Sequence, residues 1–274
     1  MGKFLVVGCG GSGAATQGYM LDQLRTYLSE QNEGDTSLPQ EWQFVTIDVP
    51  VEAEDGPSGL PNVEESGGVY VATGSRSSYA EFDRGLSSQL GSTTNKALGE
   101  IATWASTKPE KSMVPIGQGA GQYRGIGRIL TIQNLRKIRE QLDEAVKRLN
   151  NTPGDNSDPL VFVVSSMAGG AGASMFLDVA RLLTTINGIQ SQNVVAFMYT
   201  PEVFEGLPSQ SRVGQWPNSL AMFGEAVAAQ FGSGAEHDSR LFRAMGINES
   251  IKDVTVGRTD LFVLIRACGE PHNR

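Results

Sequence analysis

Apolar residues follow two different periods along this chain, and the periods take turns. Short unbroken apolar runs read as buried strands at residues 3–8, Trp42 to Ile47, 160–165, 193–199 and 260–266. Between them the apolar positions recur at helical spacing. Ala14, Ala15, Met20, Leu21, Leu24 and Leu28 predict a helix over 12–30. Leu135, Ile138, Leu142, Ala145 and Leu149 form a stripe that predicts one helix from Thr131 to Leu149. Further helices are expected at 79–107, 173–185 and about 218–230. Residues 49–67 and 150–159 are rich in Pro, Gly, Asp and Asn and read as loops. Strands that alternate with helices predict an α/β fold, a three-layer structure with a mostly parallel sheet and helices on both faces.

At 274 residues and 39% hydrophobic content, the chain can bury a substantial core as one α/β unit. The expected division is a single domain over 1–266 with a short tail at 267–274. The net charge of −8 argues against bulk electrostatic binding of nucleic acid. It does not argue against an anionic nucleotide, because backbone N–H groups and a cation supply a local positive field. Two cysteines, Cys9 and Cys268, make neither a disulfide framework nor a metal motif, which suits a cytoplasmic protein. A strand begins almost at once, with no signal-like segment, and no apolar run is long enough for a membrane span.

The chemistry sits in three glycine-rich loops, each read as lying where a strand hands over to a helix. The first is Gly8, Cys9, Gly10, Gly11, Ser12 and Gly13. The second begins Gly117-Gln118-Gly119-Ala120-Gly121 and continues through Arg124, Gly125, Gly127 and Arg128. The third is Ala168-Gly169-Gly170-Ala171-Gly172-Ala173-Ser174. Glycine permits close backbone approach and positive φ. A helix N-terminus presents free N–H groups and the positive end of its dipole. Three such loops in one chain point to a polyphosphate held from several sides. Arg124 and Arg128 are placed to meet either phosphate or an acidic neighbour.

In order and spacing these segments resemble the tubulin and FtsZ superfamily. The third loop resembles its G-G-G-T-G-[ST]-G signature. Gly117, Gly119, Ala120, Gly121 and Gly127 resemble the loop that wraps the γ-phosphate. The first loop resembles the opening strand and glycine run. Tyr199-Thr200-Pro201-Glu202-Val203-Phe204-Glu205-Gly206 resembles T-K-P-F-x-F-E-G, which implies that Glu205 contacts the ribose. Asn218 resembles the asparagine that reads the guanine edge. The resemblance implies a bacterial tubulin-like domain binding GTP or GDP with Mg²⁺, and head-to-tail filament formation. Asp48 either holds a Mg²⁺-bound water, as the resemblance implies, or is an ordinary strand-end turn acid.

The departures are specific. Ala168, Ala171 and Ser174 replace a glycine, a threonine and a glycine of the signature, leaving Ser166 or Ser174 as substitute hydroxyls. Arg266 and Ala267 stand where a second base-reading asparagine is expected. The long central helix, the second domain and its acidic N-x-D-x-x-D loop have no counterpart in this sequence, so no catalytic residue is assigned. Two other readings remain. Gly8, Gly10, Gly13 and Asp48 also fit an NAD- or FAD-binding oxidoreductase. The alanines of the third loop also fit a structural or regulatory module that has lost its nucleotide.

Overall fold

The computed structural model describes residues 2–89, 111–151, 157–249 and 262–265. These residues build a six-stranded, all-parallel sheet in the order β3-β2-β1-β4-β5-β6. Its strands are β1 (Phe4–Cys9), β2 (Trp42–Asp48), β3 (Val69–Ala72), β4 (Leu160–Ser166), β5 (Val194–Tyr199) and β6 (Phe262–Ile265). The helices are α1 (Gly10–Gln31), α2 (Tyr79–Gln89), α3 (Arg124–Gln133), α4 (Leu135–Asn150), α5 (Gly172–Leu183), α6 (Gln215–Gln230) and α7 (Ala235–Ala244).

Side chains alternate across each strand, so β1 serves two cores. Leu5, Val7 and Cys9 join Val45, Ile47, Val161 and Val163 under α3, α4 and α5. Phe4 and Val6 join Phe44, Trp42 and Val164 under Leu21, Leu24 and Leu28 of α1. A parallel sheet covered on both faces needs this double burial, which explains why the strand text is apolar without interruption. Phe4 stacks on Trp42 with ring centroids 5.1 Å apart, locking the N-terminal ends of β1 and β2 together.

Four features differ from the sequence expectation. The single helix expected from Thr131 to Leu149 is two, broken at Asn134, whose side-chain amide donates to Leu130 O and Thr73 O. An asparagine that satisfies local carbonyls competes with the helix, and apolar spacing does not register this. The strand β3 and the helix α7 were not anticipated; β3 is only four residues long and half-buried. The second loop is shorter than its glycines suggest, because Gly125 and Gly127 already lie within α3. Residues 90–107 of the helix expected at 79–107 lie outside the described residues, as do Arg266 and Ala267.

Candidate functional site

The strand order reverses direction between β1 and β4. In open parallel sheets the ligand crevice lies at such a switch point, beyond the C-terminal strand ends. That is where the three loops meet. A cleft of about 360 Å³ is lined by Cys9, Gly10, Gly11 and Ser12 of the first loop and by Gly119, Ala120 and Gly121 of the second. Gly169, Gly170, Ala171 and Gly172 of the third loop complete it, with Asp48 at the end of β2.

The loops are locked together through backbone contacts. Gly170 N–H donates to Gly121 O at 3.2 Å, and a Cβ on Gly170 would lie 2.4 Å from that oxygen. Gly10 has φ of +72°, and a Cβ there would come within 2.7 Å of Gly172 N. The positive φ expected of these loops is therefore found at Gly10 and at Gly121, while Gly170 is demanded by close approach. Gly8 and Gly13 do not line the cleft. Their backbones pack on one another, and a Cβ on Gly13 would sit 2.7 Å from Gly8 Cα. They seat α1 on the sheet. Ala173 is buried behind the third loop.

Helices α1 and α5 start at the cleft, and neither has a side-chain cap at its N-terminus. Ser174 N–H of α5 is taken up by Ala171 O at 3.0 Å, and no side chain caps the N–H groups that precede it in the helix. Ser166 Oγ lines the cleft and accepts Ala168 N–H at 3.0 Å. Ser174 Oγ instead donates to Ala171 O at 2.7 Å, inside α5. Of the two substitute hydroxyls, only Ser166 faces the cleft.

The cleft is acidic. Among the described residues, its lining carries the carboxylates of Asp48 and Glu54 and no lysine or arginine. Glu54 lies in the loop 49–67 without any motif, and sequence reasoning missed it. Asp48 accepts Val49 N–H through Oδ1 at 2.7 Å. Burial pushes its pKa up to about 6, the Val49 hydrogen bond opposes this and the Glu54 charge adds to it. Burial, with Asp48 nearby, also drives the Cys9 thiol far above its usual range, so Cys9 is a packing residue and not a nucleophile. No group of three or more His, Cys, Asp or Glu among the described residues is placed to hold a metal. A cation here would take Asp48 and Glu54 on one side and need ligand oxygens on the other.

Arg124 and Arg128 meet acids. Arg124 pairs with Glu225 of α6 and donates to Ala173 O. Arg128 holds Asp178 of α5 and Asp238 of α7. Neither lines the cleft. Asn218, in the first turn of α6, is buried and spends its amide on bracing. Its Nδ2 donates to Gln122 O and Ala168 O, each at 3.0 Å, and so ties the second loop to the third. Gln122 extends the tie through contacts with Ser211 O and Gly214 N–H. Asn218 also lines a larger cavity of about 1160 Å³, which shares Gln118, Gly119 and Gly121 with the cleft. Glu205 is exposed and lines neither space.

A parallel sheet with three glycine-rich loops at its switch point defines an open α/β class of protein, and the comparisons narrow the class. The family model described as "Tubulin like" matches residues 5–249. The chain belongs to that tubulin-like family. Among solved structures, a mutant FtsZ of M. jannaschii is similar with 15% identity and a TM-score of 0.40, over 92% of this chain and 58% of that one. An empty FtsZ dimer of the same organism is similar with 15% identity and a TM-score of 0.32, over 92% and 56% of the two chains. This chain therefore spans less than two thirds of those proteins. No curated protein matches. Among the described residues, no helix is long and apolar enough to cross a membrane.

Proposed function

We propose that this chain is the nucleotide-binding domain of a filament-forming, GTP-binding tubulin-like protein. The convergence of all three loops on one cleft carries the reading. First-turn N–H groups of α1 and α5 and the backbone of residues 119–121 hold the phosphates. Small side chains at Gly11, Ala120, Gly169 and Ala171 leave the backbone accessible. The acidic lining accounts for Mg²⁺ as co-ligand, since Asp48 and Glu54 would repel a bare polyphosphate. Mg²⁺ would neutralise phosphate charge, and Asp48 and Glu54 are the residues that would hold it.

The nucleoside occupies the neighbouring cavity, with Asn218 at its edge. Asn218 reaches the base through its carbonyl oxygen, because its amide is committed to the loops. Glu205 meets the ribose only if its segment closes over the ligand. Assembly is head-to-tail, and such a contact is open-ended and propagates. A cytoplasmic setting accords with the buried free thiol of Cys9.

Calorimetric titration with GTP, ATP and NAD, each with and without Mg²⁺, tests the reading. Tight, Mg²⁺-dependent binding of GTP over the others is expected. NAD binding as tightly as GTP would favour the oxidoreductase, and no binding of any would favour the nucleotide-free module.

A further inference from the structure

Helix α6 carries an apolar stripe that faces outward. Val213, just before the helix, is 78% exposed, and Trp216, Leu220 and Phe223 are 58%, 76% and 45% exposed. Val227 is 36% and Phe231, at the helix end, 86% exposed. The spacing runs three, four, three, four, four, which is a helix-pairing seam and not scattered surface residues. At roughly 150–250 Å² for a whole aromatic side chain, the three aromatics alone leave on the order of 400 Å² open. That already matches the largest apolar patch of an ordinary monomer, and such patches mark interaction sites. With the three aliphatic side chains, the stripe supplies most of the apolar core of a standard interface, which buries about 800 Å² per partner.

The order of side chains along the stripe selects the occupant. About a midpoint between Ala221 and Met222, Leu220 mirrors Phe223 and Trp216 mirrors Val227, while Val213 and Phe231 flank the stripe one residue out of register. Each mirrored pair sets an aromatic against an aliphatic residue. A second α6 laid antiparallel would therefore place large against small at the four central layers, which is how facing positions interdigitate. A parallel copy would set Trp216 against Trp216 and Phe231 against Phe231. Charge agrees. The only ionisable side chain in α6 is Glu225, and Arg124 of the same chain already holds it. Two stripes meet without like-charge repulsion, whereas a chain of net charge −8 is repelled by an anionic lipid surface. The geometry points to an isologous dimer of this chain, closed by antiparallel pairing of α6 about a two-fold axis at Ala221 and Met222. This contact differs from the open, head-to-tail assembly proposed above and does not depend on it.

Sedimentation of the full chain across the micromolar range tests the dimer. Wild type should sediment at twice the chain mass by about 100 µM, and Leu220→Glu should weaken the dimer at least tenfold. Because position 220 faces position 223 of the other copy, Leu220→Glu/Phe223→Lys should recover dimer that Leu220→Lys/Phe223→Lys does not. All three variants change exposed side chains, so unchanged thermal melts serve as the folding control. A monomeric wild type at about 100 µM, or a dimer indifferent to Leu220→Glu, would overturn the proposal. Equal dimerisation of the Glu/Lys and Lys/Lys double variants would overturn the antiparallel register.

Discussion

Arg128 grips Asp178 with two hydrogen bonds, Nε to Oδ2 at 3.0 Å and Nη2 to Oδ1 at 3.1 Å. This bidentate pair joins the helix that leaves the second loop to the helix that leaves the third, so it sets the spacing of two glycine-rich loops from behind. Asp178 is 1% exposed. Arg128→Met should leave that carboxylate buried without its partner and cost about 3 kcal/mol. Urea unfolding checks this. Arg128→Met/Asp178→Leu should recover most of the stability, and an Arg128→Met protein as stable as wild type would show that the pair is idle.

Asp48 gives the cleft a pH dependence of definite sign. Its folded-state pKa of about 6 lies above the ordinary 3.8, so the ligand-free fold is favoured while Asp48 is protonated. That contribution is full below pH 3.8 and is lost as pH rises through about 6. Asp48→Asn should therefore stabilise the ligand-free protein at pH 8 by roughly 3 kcal/mol and leave it nearly unchanged near pH 3.5. Mg²⁺-nucleotide binding should run the other way, weakening as pH falls through about 6 in wild type and staying flat in Asp48→Asn. Thermal melts and calorimetry across this range read both.

Two adjacent glycines should separate ligand binding from loop architecture. A Cβ on Gly169 meets nothing within 4 Å, whereas one on Gly170 would collide with Gly121 O at 2.4 Å. Gly169→Val should keep the wild-type melting temperature and lose nucleotide by filling the cleft. Gly170→Val should lose nucleotide and also lower the melting temperature, by several degrees for a chain of this length. Nucleotide affinity that survives Gly169→Val would move the phosphates elsewhere.

Hydrolysis by the isolated chain should be slow. Activating a water needs a base within hydrogen-bond reach, and backbone donors cannot accept its proton. Among the described residues, Asp48 and Glu54 are the acids of the cleft, and both are assigned to the cation. Phosphate release should stay near background and change little in Glu54→Gln. Fast turnover proportional to chain concentration and abolished by Glu54→Gln would make that residue the base.

The sequence by itself determined the layered α/β plan, because burial on both faces of a parallel sheet is written directly as apolar runs at β1, β2, β4 and β5. It also located the three glycine-rich loops, because glycine is needed wherever backbones touch, as at Gly10 and Gly170. Only the tertiary structure decided what those loops do to one another. Residues far apart in sequence, Gly121 and Gly170 or Asn218 and Ala168, are joined by single hydrogen bonds that leave no periodicity. The same holds for Glu54, an acid in a solvated loop until the fold turns it into the cleft, and for Arg128, which chose Asp178 over a phosphate. The apolar stripe of α6 shows the converse limit. Its spacing is legible in the text, yet only the packed structure reveals that Met222 and Ala226 face the core while Leu220 and Phe223 face out.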